Sequence, residues 1–205
     1  MLISPPFGGG RAPVLAKNAV ASSQPLATQA GIEVLQNGGN AVDAALATAI
    51  TLTVVEPTMN GLGGDGFSIL WDGQKIHGLN PSGRAPAAWT PEYFAGKTSM
   101  DLIGWNTVTV PGMVSGWITL SRKFGKLPFT QLFKRAIDYA ENGFPVSPVI
   151  ARQWREAIPI LKNQPGFTES FLIDGKAPQA GQIWKYPAQA KTLKEIAATE
   201  GESFY

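Results

Sequence analysis

The sequence predicts an α+β chain whose second half is rich in helix, and three observations carry that reading. The dipeptide Asp72-Gly73, a strong turn signal, separates two short apolar runs and marks a β-hairpin. Beyond Pro111, successive segments place apolar residues at helical spacing. Glycines and prolines, 23 and 16 of the 205 residues, stand at the openings and stops of these segments.

Taken in order, residues 1–16 read as a flexible arm, and residues 17–205 as one domain or part of one. A first helix is expected over 25–36, with Ser23 as its cap and Leu26, Ala30 and Val34 on one face; Asn37-Gly38-Gly39 stops it. Asn40 caps a second helix, and Asp43 three residues on completes an acidic variant of the capping box. The run 44–53 is so uniformly small and apolar that this helix is expected to be largely buried, and Pro57 ends it at the latest. Residues 67–71 and 75–79 form the hairpin. Pro111-Gly112 opens a helix with Met113, Trp117, Leu120 and Phe124 on one stripe and Gly125 as its stop. Leu132, Phe133, Ala136, Ile137 and Ala140 make the next stripe, closed by Gly143. Ser147-Pro148 caps another, with Val149, Trp154, Ile158 and Leu161 apolar and Pro159 kinking or ending it. The last helix runs from Pro187 to Thr199 with Leu193 and Ile196 inward. The aromatic residues on these stripes are read as core.

Composition excludes several chemistries. With no cysteine there is no disulfide framework, no thiolate metal site and no cysteine nucleophile. With one histidine, His77, a multi-histidine metal cluster is impossible, and a Ser-His-Asp triad would depend on that residue alone. No G-x-S-x-G elbow accompanies it. Seventeen bases against fifteen acids and 44% apolar residues describe a globular chain, with no nucleic-acid partner indicated. No stretch approaches the roughly 20 apolar residues of a membrane span. The opening Met1-Leu2-Ile3-Ser4-Pro5-Pro6 has neither a basic n-region nor an apolar h-region, so a cytoplasmic location is expected. Charged residues stand at 16%, against about 25% in typical domains. That deficit points to surface that is covered by something else.

Three candidate sites stand out. Gly61-Leu62-Gly63-Gly64-Asp65-Gly66 matches G-x-G-x-x-G, but a helix enters it and a hairpin leaves it. A phosphate cradle needs the reverse order, strand first and helix second. The glycines Gly61, Gly63, Gly64 and Gly66 are therefore read as structural, allowing positive φ and tight packing between helix and sheet, with Asp65 as a local cap or turn residue. His77, alone on a strand, is read as a surface or partly satisfied residue. In Asn80-Pro81-Ser82-Gly83-Arg84-Ala85-Pro86, small and rigid neighbours leave the Arg84 guanidinium open for bidentate capture of a carboxylate; an ordinary exposed loop arginine is the alternative.

Several segments together resemble the γ-glutamyltranspeptidase family. They are Pro25-Leu26-Ala27-Thr28, Gly38-Gly39-Asn40-Ala41-Val42-Asp43-Ala44-Ala45, Val55-Glu56-Pro57 into the glycine loop and Phe67, Arg84-Ala85-Pro86, Val110-Pro111-Gly112, Phe124-Gly125-Lys126-Leu127-Pro128 and Ala140-Glu141-Asn142-Gly143-Phe144-Pro145-Val146. They occur in the family's order from Lys17 onward.

The resemblance implies an N-terminal-nucleophile hydrolase fold, an αββα sandwich built by two subunits of one self-cleaving precursor. It implies an N-terminal threonine as nucleophile, with its own amino group as base, and an acyl group such as γ-glutamyl passed to water or an amine. No cofactor or metal is implied. Thr28, Thr51, Thr53 and Thr107 all lie within the large-subunit pattern, so the nucleophile is expected outside this chain. Residues 17–205 are then expected to be the N-terminal portion of a large subunit, truncated or partly resolved and inactive alone, with the small subunit of the same precursor as partner. In transpeptidases the arginine that binds the donor's carboxylate falls at the position of Ser82, two residues before Arg84. In an extended segment that offset keeps the side chain on one face and moves its origin by about 6–7 Å. Arg84, and Ser82 by alignment, are the expected substrate contacts. The Ser-Gly-Arg-Ala-Pro version is similar to the cephalosporin-acylase-like branch, so a glutaryl-type acylase or amidase is the alternative activity. An autonomous binding domain without catalysis is the more distant one.

Overall fold

The computed structural model describes residues 15–205. Residues 1–14 of the expected arm lie outside the described residues. The elements follow as α1 (Pro25–Gln36), α2 (Ala41–Val55), β1 (Ser68–Trp71), β2 (Ile76–Leu79), α3 (Met113–Phe124), α4 (Lys134–Asn142), β3 (Phe144–Pro145), α5 (Pro148–Leu161), α6 (Phe167–Phe171), β4 (Ile183–Trp184) and α7 (Pro187–Thr199). The α+β expectation with a helix-rich second half agrees with this order.

Helix α1 begins at Pro25, whose fixed φ suits the first helical position. The cap is therefore the residue immediately before the proline, Gln24 and not Ser23. The Gln24 side chain accepts from the N–H groups of Leu26 and Ala27. Ser23 is drawn elsewhere: its hydroxyl donates to Glu56 Oε2 at 2.6 Å, tying the entrance of α1 to the exit of α2.

Helix α2 is the centre of the molecule and packs against α1, α3 and α4. Ala44, Leu46, Ala47, Ile50, Val54 and Val55 are buried. Its three buried threonines satisfy their hydroxyls within the helix, Thr48 on Ala44 O, Thr51 on Ala47 O and Thr53 on Ile50 O. The capping box forms as expected, Asn40 Oδ1 accepting from Val42 and Asp43 N–H and Asp43 Oδ2 from Asn40 N–H. Asn40 Nδ2 also donates to Phe124 O at 2.6 Å, so the head of α2 caps the tail of α3.

The hairpin pairs Ser68 with Leu79 through Trp71 with Ile76 in antiparallel register. The Asp72 carboxylate accepts from Gln74 and Lys75 N–H across the turn. Leu70, His77 and Leu79 are half-buried on one face, while the other presents Ile69 (85% exposed), Trp71 and Ile76. A second ladder, β3 with β4, is only two residues long. Among the described residues these are the two sheets.

Behind α4 lies α7, with Leu193 and Ile196 fully buried. Helix α5 turns Ile150, Ala151 and Trp154 inward but leaves Val149, expected on the apolar stripe, exposed. Pro159 lies inside α5, which continues to Leu161; in the last turn the missing N–H costs one bond, and the residue is exposed. Trp154 anchors an aromatic cluster with Phe171, Trp184 and Tyr186 and donates its indole N–H to Phe171 O at 2.8 Å. Burial pushes the Tyr186 phenol far above its ordinary range, against the opposing pull of the Trp184 indole.

No helix among the described residues is long and apolar enough to cross a membrane.

Candidate functional site

Three stretches converge on the start of α3: the glycine loop, residues 80–86, and residues 109–113. The loop folds back on itself, Gly64 N–H donating to Gly61 O at 3.1 Å. The Gly64 carbonyl then accepts from Gly112 N–H at 3.3 Å and Met113 N–H at 3.2 Å. Gly112, the N-cap, has no side chain, so the glycine loop caps α3 with its backbone. The Ser115 N–H, in the first turn, is taken by the Tyr205 hydroxyl at 3.0 Å. A phosphate cradle turns amides toward its ligand; here the loop turns a carbonyl toward amides, which argues against a nucleotide site.

The expected reason for the four glycines needs correction. None of Gly61, Gly63, Gly64 and Gly66 takes the left-handed conformation. Only Gly64 is tightly packed, a Cβ there falling 3.1 Å from Gly61 O. Asp65 is exposed and its carboxylate has no hydrogen-bond partner among the described residues, so it caps nothing.

The strict requirement for glycine lies in the neighbouring segment. Gly83 adopts φ +82°, and a Cβ there would sit 1.8 Å from Val110 O. Gly112 and Gly116 clear the opposite side, where added Cβ atoms would come within 2.4 Å of Pro81 O and 2.5 Å of Pro81 Cγ. Residues 81–83 thus lie in a slot at the head of α3. Thr109 Oγ1 donates to Ser82 O at 2.9 Å and Val110 N–H to Arg84 O at 3.0 Å, fastening both ends. Sequence reasoning singled out neither Gly83 nor Gly116; the Gly112/Gly116 spacing of one helical turn was the available signal.

The positive φ at Gly83 breaks the extended geometry between Ser82 and Arg84. The two side chains therefore do not share one face at strand spacing: Ser82 is half-buried and Arg84 exposed. Among the described residues the Arg84 guanidinium has no carboxylate within ion-pair distance, although all seven ion pairs of the described chain engage other bases. An unpaired cation on a backbone fixed at its own carbonyl suits the capture of an external carboxylate.

His77 takes no part in this cluster. Its Nε2 meets Asp72 Oδ2 at 2.6 Å, and its ring packs edge-on to Phe124 with centroids 4.8 Å apart, at the end of α3 opposite Gly112. The partly satisfied reading of this residue fits that geometry. Among the described residues no group of three His, Asp or Glu side chains is placed to hold a metal ion.

The fold belongs to the N-terminal-nucleophile hydrolases. The chain superimposes on the crystal structure of cephalosporin acylase from Bacillus halodurans with a TM-score of 0.83 and 42% identity, covering 97% of this chain and 40% of that one. It superimposes on the γ-glutamyltranspeptidase of Helicobacter pylori with a TM-score of 0.87 and 31% identity, covering 95% and 58%. A family model described as gamma-glutamyltranspeptidase matches residues 27–205, and the chain belongs to that family. It is 38% identical over 192 residues to the glutathione hydrolase-like YwrD proenzyme of Bacillus subtilis, covering 92% of this chain and 37% of that protein. To the oxamate amidohydrolase proenzyme of Klebsiella pneumoniae it is 39% identical over 188 residues, covering 88% and 35%. The chain thus spans little more than a third of the length of these relatives.

Proposed function

We propose that this chain forms the N-terminal part of the large subunit of an enzyme that transfers or hydrolyses a γ-glutamyl or related acyl group. The carrying observation is the exposed Arg84 side chain, on a backbone held near the head of α3 by the Val110–Arg84 bond. Arg84 binds the donor's carboxylate, and Ser82, half-buried two residues earlier, is the second contact. Residues 17–205 form an incomplete domain in this reading. The nucleophilic threonine and the oxyanion donors come from the part of the precursor outside residues 1–205, and the acyl-enzyme forms there. The names of the relatives, proenzymes of glutathione hydrolase type, support it.

A second reading, an acylase or amidase of the same family with little transfer activity, is favoured by Ser82-Gly83-Arg84 and by the relatives named oxamate amidohydrolase and acylase ACY 1. Turnover of a γ-glutamyl anilide and a glutaryl anilide by the complete precursor separates the two. Preference for the first supports glutathione-type chemistry, preference for the second the acylase, and turnover of neither overturns both.

A further inference from the structure

Between Trp89 and Val110 the chain builds a lobe with its own internal bonding. Tyr93 OH donates to Asn106 Oδ1 at 3.0 Å, Asn106 Nδ2 donates to Asp101 Oδ2 at 3.0 Å, and Lys97 pairs with the same carboxylate. Trp89 and Tyr93 meet Phe94 edge-on. The lobe is therefore organised in its own right, yet it turns large apolar side chains outward: Leu102 is 95% exposed and Trp105 81%, with Met100, Ile103, Val108 and Val110 also exposed. Apolar area of that kind left open on an ordered surface marks an interaction site.

A cavity of about 370 Å³ separates this lobe from the end of α5, walled by Leu102, Ile103, Trp105 and Val108 on one side and Leu161 and Pro165 on the other. No ionisable side chain lines it. A charged acyl donor is thus a poor occupant, and an apolar stretch of polypeptide a good one. About two-thirds of the length of the curated relatives lies outside the matched region, which fills 35–37% of them. Lobe and site are continuous, because Val110, the lobe's last residue, is bonded to Arg84 O.

We propose that this groove seats a segment from the rest of the precursor, which inserts a large apolar side chain between Trp105 and Leu161 and so closes the wall beside Arg84. The inference rests on the reading of this chain as part of a longer precursor. Hydrogen exchange over residues 100–108 tests it, measured in the complete precursor and in the 205-residue chain. Amides there exchange at least tenfold more slowly in the precursor, and Trp105→Glu and Leu102→Glu restore fast exchange in the precursor while leaving the circular dichroism and melting of the 205-residue chain unchanged. Equal exchange in both proteins overturns the proposal. Protection already present in the 205-residue chain and lost on dilution overturns it too, by making a second copy the occupant. A protected lobe in a precursor that turns over neither anilide sinks the proposed activity and leaves the docking groove standing.

Discussion

The buried carboxylate of Asp43 accepts the backbone N–H of Lys126 at 3.0 Å, joining residues 83 positions apart. It also accepts from Leu127 and Asn40 N–H and is wholly shielded from solvent. One acid thus starts α2 and fixes the turn that follows α3. Asp43→Asn puts an amide N–H₂ where only donors face it, and the unmet donors cost about 2–4 kcal/mol. A urea midpoint for Asp43→Asn equal to that of the parent chain would refute this.

Gly83 and Gly61 make a contrasting pair. Gly83→Ala meets Val110 O and a strained φ together, whereas a Cβ at Gly61 meets nothing within 4 Å. Gly83→Ala is expected to destabilise the chain by about 2 kcal/mol or more, and Gly61→Ala to stay within about 0.5 kcal/mol of the parent. Thermal melts of the two variants decide whether the structural glycine is in the G-x-G-x-x-G loop or in the arginine segment.

His77 and the N–H groups of Lys75 and Gln74 hold the Asp72 carboxyl well below the usual carboxylate range. A depressed folded value stabilises the hairpin above the unfolded value near 3.8 and loses that contribution as the pH falls below it. Acid titration of stability from pH 5 downward should therefore show a decline that Asp72→Asn lacks. Parallel curves for the two proteins would remove the hairpin pair from the account. Histidine chemical shifts report the same event without ambiguity, because the chain has one histidine.

The aromatic cluster separates packing from polarity. Trp154 is almost wholly buried, and Trp154→Ala is expected to cost about 3–5 kcal/mol. The Tyr186 hydroxyl has no hydrogen-bond partner of good geometry among the described residues. Tyr186→Phe is therefore expected to be neutral or stabilising by up to about 1 kcal/mol, the desolvated hydroxyl being removed with the ring retained. A loss comparable to that of Trp154→Ala would show that the phenol is bonded after all.

What was legible in the sequence follows from how local each determinant is. Pro25 and Pro187 set the starts of α1 and α7, and Asn40 with Asp43 announced the capping box, because each acts within four residues. Gln24 carries no capping signal of its own, because glutamine rarely serves as a cap, and only the proline beside it forces the role. The ladder of β3 with β4 is too short to show alternation, and α6, one turn long, is held by Phe171 packing on the distant Trp154 and Tyr186. At the site, Arg84 was visible as an unobstructed cation. The slot that positions it was not, since Gly83, Gly112 and Gly116 make room for atoms far along the chain. The low charge content has a visible counterpart in the bare faces of the hairpin and the lobe around Trp105.

The central claim is that Arg84 holds the carboxylate of an acyl donor, and steady-state kinetics of Arg84→Ala in the complete precursor tests it most directly. With a carboxylate-bearing anilide the expected result is a KM raised at least tenfold, equivalent to about 1.4 kcal/mol or more, with a smaller change in kcat and partial rescue by Arg84→Lys. An unchanged KM for that donor, in a variant that is folded and turns over substrate, would contradict the assignment.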